Sequence, residues 1–219
     1  MEWNELRDII YRYSKSLMSK TPFIVMAGAH HGEVCIDIFK KYYPTAQIVA
    51  FEPCISSYEI CKEKIPSDLS IVLYNKGLSS KNETKQLNIS YTSNTNSLYK
   101  VNLHGMTYQQ KEQIETIHLI TLDEWYSATK CNEIDLLYLN IEGHELEALK
   151  GGLNMLSKVK VIFIELNVIE IWKGVPLEGD IDKFLRANNF SLTLHDKRKC
   201  YSWTENQYLA VYVNNNLCS

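Results

Sequence analysis

The chain lacks the marks of several large protein classes. No stretch approaches the roughly 20 consecutive apolar residues that a membrane-spanning helix needs. Positive charge is not in excess: 23 Lys and Arg stand against 26 Asp and Glu, a net charge of -3. A protein built around a nucleic-acid backbone carries a basic footprint, so nucleic acid is not an expected partner. The six cysteines, at 35, 54, 61, 131, 200 and 218, form no CxxC pair. A chain of 219 residues buries enough surface to fold without staples, so free thiols in a reducing compartment are expected. The N-terminus carries Glu2, Glu5 and Asp8 where a secretory leader would be basic, which points to the cytoplasm. The sequons at Asn82 and Asn88 then read as coincidence.

Chemical signatures are missing too. There is no GxGxxG for a dinucleotide, no GxxxxGK[ST] phosphate loop, no HExxH zinc motif and no GxSxG nucleophile elbow. His30 and His31 are adjacent, a spacing not expected to present both to one ion, so no metal site is expected.

What the chain does have is alternation. FIVMAG (23–28), QIVAFEP (47–53), DLSIVLYNKG (68–77), 115–120, 134–140 and 159–166 read as strands, most of them short and apolar throughout. Helical patterns separate most of them: 33–43, 54–65, 121–129 and 145–151. A helix over 177–189 and two antiparallel closing strands, 190–195 and 207–213, complete the series; Asp196–Asn206 joins the pair and the tail after 213 is expected to fray. Strands apolar on both sides belong to a parallel sheet covered on both faces, so the fold class is α/β with a mostly parallel sheet between helices. Residues 3–18 read as an amphipathic N-terminal helix within 1–20. Residues 79–113, rich in Asn, Ser, Thr, Gln and Tyr, read as an insertion, with short strands at 85–91 and 98–103 that cover or line a pocket. No repeat or linker divides 1–219, so one domain is expected.

Three clusters of residues invite a chemical reading. Gly28-Ala29-His30-His31-Gly32-Glu33 follows the first strand and opens a helix, where glycines permit a tight turn and a close ligand. Glu52 ends the second strand, 20 residues after Gly32, placed to accept hydrogen bonds from the two ribose hydroxyls of a nucleoside. A nucleoside site without a pyrophosphate loop points to S-adenosylmethionine. The third cluster, Asn140-Ile141-Glu142-Gly143-His144-Glu145, follows a buried strand and opens a helix; Glu142 or His144 there can act as a base on a hydroxyl. Glu165 ends the next apolar run, either as a second carboxylate at this rim or as a buried structural acid. Tyr91, Tyr99 and Tyr108 are the insertion's candidate pocket aromatics.

In that order, FIVMAGAHHGE, IVAFEP, VLYNKGLSS, ITLDEW, IDLLYLNIEGHELEALKG and VKVIFIEL resemble the FkbM-type methyltransferases over roughly residues 20–190. The resemblance implies the class I methyltransferase (Rossmann-like) fold: seven strands, mostly parallel, one antiparallel. It implies S-adenosylmethionine as cofactor, held by Gly28, Ala29, His30 and Gly32 at its methionine part, Glu52 at the ribose, Gly77 and Leu78 beside the adenine, and Asn140 near the methyl group. It further implies O-methylation of a hydroxyl on a sugar, glycan or related small molecule, with Glu142 or His144 as base. The family usually has acids where Met26 and Asn140 stand, and an Asn in place of His30. Those departures keep an alternative open, a methyltransferase-like binding or scaffold protein without activity.

Overall fold

The computed structural model describes residues 15–102, 109–129, 131–195 and 206–218. The helix expected over 3–18 falls almost wholly outside them, as does the connection between the closing strands. Among the described residues no helix is long and apolar enough to cross a membrane.

Three apolar segments become neighbouring parallel strands: Phe23–Ala27 (β1), Gln47–Phe51 (β2) and Ile71–Tyr74 (β3). Between them lie α1, a π-helix over Glu33–Lys40, and α2 over Ile55–Lys64. The chain then makes the short strand β4 (Gly77–Leu78) and returns to the other side of β1 with β7 (Ile134–Leu139) and β8 (Val159–Asn167). Last come β9 (Phe190–His195) and β10 (Gln207–Asn214), and β10 runs antiparallel to both of its neighbours. The seven-stranded order is β3-β2-β1-β7-β8-β10-β9. This is the mostly parallel α/β sheet that the alternation predicted, with one strand reversed.

Alternate residues feed two cores. Val25, Ala27, Leu137, Leu139, Ile162 and Ile164 lie on one face, with Leu122 and Trp125 of α3 (Leu122–Ser127), Leu149 of α4 (Glu145–Lys150), Met155 and Leu156 of α5 (Leu153–Leu156) and Leu185 of α6 (Glu178–Ala187). Ile24, Met26, Leu136, Tyr138, Val161 and Phe163 lie on the other, with Val34, Ile38 and Phe39 of α1 and Cys61 of α2. Burial on both sides explains why these strands show no polar alternation. Asp135 is the exception inside β7: its carboxylate accepts from Ser19 and from the Phe23 amide and pairs with Lys160 at 3.0 Å. It ties the segment entering β1 to the foot of β7.

The insertion departs from its expected form. β5 (Glu83–Ser90) matches the first expected strand, but 98–103 is not a strand where it is described: Val101 makes an isolated bridge to Trp172, and just before the segment Ser97 bridges to Asn88 of β5. Its partner is instead β6, which begins at Gln110 and runs to Ile120, well before the expected 115. Of the added residues 110–114 the first four are polar and Ile114 is exposed, because this end of the hairpin faces solvent and loses the apolar signal. β4, β6 and β5 form a second, three-stranded sheet. The tail differs as well: Asn214 is buried, with Nδ2 3.0 Å from the Val159 carbonyl, and the Asn215 amide donates to Asn189 at 2.9 Å. Residues 214–218 are tied down rather than frayed.

Candidate functional site

Sequence order leaves β1 in one direction for β2 and β3, then reverses to β7, so the switch point lies between the carboxyl ends of β1 and β7. Open α/β sheets bind ligands at such a point. The first turn there is tight: the Gly28 and Ala29 amides both donate to the Phe51 carbonyl at 3.1 Å, and Gly28, His30 and Gly32 all have positive φ. A Cβ on Gly28 would lie 1.9 Å from the Asn140 carbonyl oxygen, so the ends of β1 and β7 meet with no room for a side chain.

Glu52 sits against this loop. The His30 amide donates to Oε2 at 2.9 Å and the Cys54 amide to Oε1 at 3.0 Å. Burial pushes its carboxyl up to about 7, against the pull of those two N–H groups. The carboxylate is therefore held in place by one backbone donor per oxygen, and each oxygen keeps a further lone pair. Gly77 is buried beside Pro53, whereas the Leu78 side chain lies in the core with Phe51 and Leu122.

The second turn, after β7, carries Asn140 to His144. The Tyr138 hydroxyl shares a hydrogen bond with the Asn140 side chain. Glu142 takes φ 54 and buries Oε2 without a hydrogen-bond partner. Its carboxyl is raised well above the ordinary range by burial, then by Glu165 and Glu145. Glu165, near the end of β8, is pushed up to about 8 by burial and Glu145; Gln207 donates to it at 3.3 Å. Glu145 has a different job. Its Oε1 accepts from the amides of Ile141 at 2.8 Å and Gly143 at 3.4 Å, which caps the turn that presents Glu142.

His144, 2% exposed, uses both ring nitrogens: Nε2 lies 3.1 Å from Ser79 Oγ and Nδ1 3.0 Å from the Tyr99 hydroxyl. Burial lowers its pKa to about 4, so the ring is neutral at pH 7. The insertion is fastened here and at two further points. Ser97 Oγ donates to the Glu142 carbonyl at 2.7 Å, and Ser93 Oγ lies 2.8 Å from His30 Nε2. The structure thus gathers Gly28, Ala29, His30, Gly32 and Glu52 around one loop, and Asn140, Glu142 and His144 around the next. Tyr99 is engaged, Tyr91 is exposed, and Tyr108 lies outside the described residues. Ser93, Ser97 and Trp172, whose indole neighbours Glu142, were not singled out from sequence. A serine in a polar segment carries no signal of its own; Glu145 did, as an acid opening a helix.

Comparison with known proteins decides the family. The Methyltransferase FkbM domain matches residues 27–192. The chain belongs to the FkbM methyltransferase family. Among its relatives is the 2-O-methyltransferase NoeI of Sinorhizobium fredii, 24% identical over 79% of this chain and 75% of that protein. Another is the methyltransferase sdnD of Sordaria araneosa, 27% identical over 90% of this chain and 82% of that protein. The precorrin-6y C5,15-methyltransferase structure from Geobacter metallireducens has the same fold, with a TM-score of 0.56 at 10% identity, covering 98% of this chain and 90% of that one. This FkbM protein is an S-adenosylmethionine-dependent methyltransferase. The residues present fit that cofactor on one observation: Glu52 offers an oriented buried carboxylate, each oxygen holding one backbone donor and keeping a lone pair.

Proposed function

We propose that this FkbM methyltransferase methylates a hydroxyl oxygen on a sugar, glycan or related polyhydroxylated small molecule, with Glu142 as the base. The cofactor supplies an electrophilic methyl group on a sulfonium; the protein must hold the acceptor and take its proton. Gly28, Ala29, His30 and Gly32 form the cofactor loop, Glu52 takes the ribose hydroxyls, Gly77 and the backbone of Leu78 flank the adenine, and Asn140 lies at the methyl end.

The observation that carries the reading is the buried carboxylate of Glu142 at the switch point, with the Trp172 indole as its neighbour and no close hydrogen bond to Oε2. A raised carboxyl pKa makes the ionised form a stronger base, burial with Glu165 nearby supplies that rise, and the positive sulfonium of the bound cofactor favours ionisation. His144 is the weaker candidate for base, because both its nitrogens are engaged and its ring resists protonation. It acts instead as a post that fixes Tyr99 and Ser79. Ser93, Ser97 and Tyr99 of the polar insertion reach His30, the Glu142 carbonyl and His144 at the carboxyl ends of β1 and β7, which supports the insertion as the acceptor side. NoeI, a 2-O-methyltransferase by name, supports oxygen as the atom methylated.

Calorimetric titration with S-adenosylmethionine and S-adenosylhomocysteine tests the cofactor half. Both should bind, and Glu52→Ala should weaken both without unfolding the chain; unchanged affinity overturns the role of Glu52. Transfer of labelled methyl to a panel of sugars and polyols tests the rest. Glu142→Gln should cut transfer about 10²–10⁴-fold while cofactor affinity stays within a few-fold. Transfer that survives Glu142→Gln and fails in His144→Gln reverses the assignment.

A further inference from the structure

The side chains of His30, His31 and Glu33 make a cluster to which the methyl-transfer reading gives no role; at His30 it uses the backbone, whose amide donates to Glu52. Side chains of adjacent residues ordinarily point apart. Here His30 is held at φ 47, between Gly28 and Gly32 that also have positive φ, and the turn folds the two imidazoles onto each other. Their centroids lie 3.7 Å apart and their planes 20° from parallel. Both Nδ1 atoms face one carboxylate: His30 Nδ1 is 3.3 Å from Glu33 Oε2, and His31 Nδ1 is 3.8 Å from Glu33 Oε1. All three donor groups lie within 4.8 Å of one another.

We propose that His30, His31 and Glu33 bind a divalent first-row transition ion of the zinc, cobalt or nickel class at the edge of the cofactor loop. Two imidazole nitrogens and one carboxylate oxygen are the donor set such ions prefer, and three protein ligands leave a position open. A histidine that holds a metal characteristically gives its other ring nitrogen to an outer partner. His30 meets that condition, with Nε2 2.8 Å from Ser93 Oγ. Without a metal, His30 can donate Nδ1–H to Glu33 at 3.3 Å and accept from the Ser93 hydroxyl; a metal on Nδ1 selects the other tautomer, in which Nε2–H donates to Ser93. The His31 amide donates to Glu33 Oε2 at 3.2 Å and fixes the carboxylate toward the rings.

Two features oppose a cation. Lys64 Nζ lies 3.8 Å from Glu33 Oε1, and the N-terminus of α1 presents the positive end of its dipole. Lys64 is half exposed on a flexible stem and can withdraw into water; the dipole cannot. The site is therefore one of modest affinity, selective by donor type. Magnesium and calcium, which prefer oxygen ligands, do not fit it.

The test uses the full chain stripped with chelator and titrated calorimetrically with ZnCl2, NiCl2 and MgCl2, with CoCl2 absorption as a second readout. Zinc and nickel should bind one per chain, magnesium should not, and cobalt should give the visible bands of a nitrogen- and oxygen-ligated ion. His31→Ala and Glu33→Gln should each weaken zinc by about 10-fold or more, since even outer partners are worth about that much. Circular dichroism shows whether each variant is folded, and S-adenosylmethionine binding to the same sample separates a failed preparation from a failed proposal. No zinc binding by folded wild-type chain overturns the site. So does zinc binding that both variants retain, which places the ion on other donors such as the free thiols.

Discussion

Gly28 and the Asn140 carbonyl occupy a space that admits no side chain, and this one contact fixes how the two site loops meet. Gly28 has φ +84, and an added Cβ would meet backbone only 1.9 Å away, where nothing can swing aside. Gly174 separates the two effects: its φ is +75, yet nothing lies within 4 Å of an added Cβ. Gly174→Ala should therefore cost about 1–2 kcal/mol, the left-handed penalty alone. Gly28→Ala should cost at least a further 1–3 kcal/mol from overlap, or prevent folding. Urea denaturation midpoints check the difference; equal costs would show that the β1 and β7 ends part easily. Individual residues were unevenly legible in sequence. Glu52, Glu142 and His144 stood out because polar residues at the ends of apolar strands are conspicuous. Met26 stood out as a departure, yet it is an ordinary core side chain, fully buried beside Ile24 on the α1 face. The stacking of His30 on His31 was hidden, because it depends on φ at His30 and not on residue spacing.

At the scale of elements, the segment from Ser93 to Val101 works as a strap rather than a strand. Side-chain hydrogen bonds fasten it to the two site loops at His30, at the Glu142 carbonyl and at His144, and backbone bonds join Asn88 to Ser97 at 2.8 and 3.2 Å. Sequence pattern indicated an insertion over a pocket but misjudged its form, because isolated bridges and side-chain bonds leave no periodicity to read. The buried strands β1, β2, β7 and β8 were located nearly to the residue, since burial on both faces demands apolar runs. Tyr99→Phe tests the strap. The loss removes the hydroxyl from His144 Nδ1 and leaves a buried ring nitrogen without its partner, at a cost of about 1–3 kcal/mol. Amide exchange at Asn88 and Ser97 should accelerate while amides in β7 and β8 keep their protection. Uniform acceleration would instead mean that the strap opens only when the whole chain unfolds.

For the whole molecule, order along the chain was the most legible feature, because each strand–helix unit announces itself locally. The encounter of distant acids was not, and it governs how stability responds to pH. Glu145, raised to about 7, and Glu165, raised to about 8, bind protons in the folded chain at pH values where unfolded carboxyls near 4.5 have lost them. Glu142 is raised as well. Between those limits the folded state holds more protons than the unfolded state, so stability falls as pH rises. His144 acts in the opposite sense. Its folded value of about 4 lies below the ordinary 6.5, so the unfolded state binds the extra proton and stability rises with pH between the two. Each group contributes at most about 1.4 kcal/mol per pH unit within its window. With Glu52, also raised to about 7, four acids outweigh one histidine, and above pH 6.5 His144 no longer contributes. Thermal unfolding without cofactor should therefore show the chain less stable at pH 8 than at pH 6. Glu165→Gln should flatten that decline, because it removes one raised acid and relieves Glu142. His144→Gln should leave the decline above pH 6.5 intact and make the chain more tolerant of pH 5. A wild-type chain that gains stability from pH 6 to pH 8 would show that these carboxyls find cationic partners in solution, and the crowding of buried acids at the switch point would not raise them.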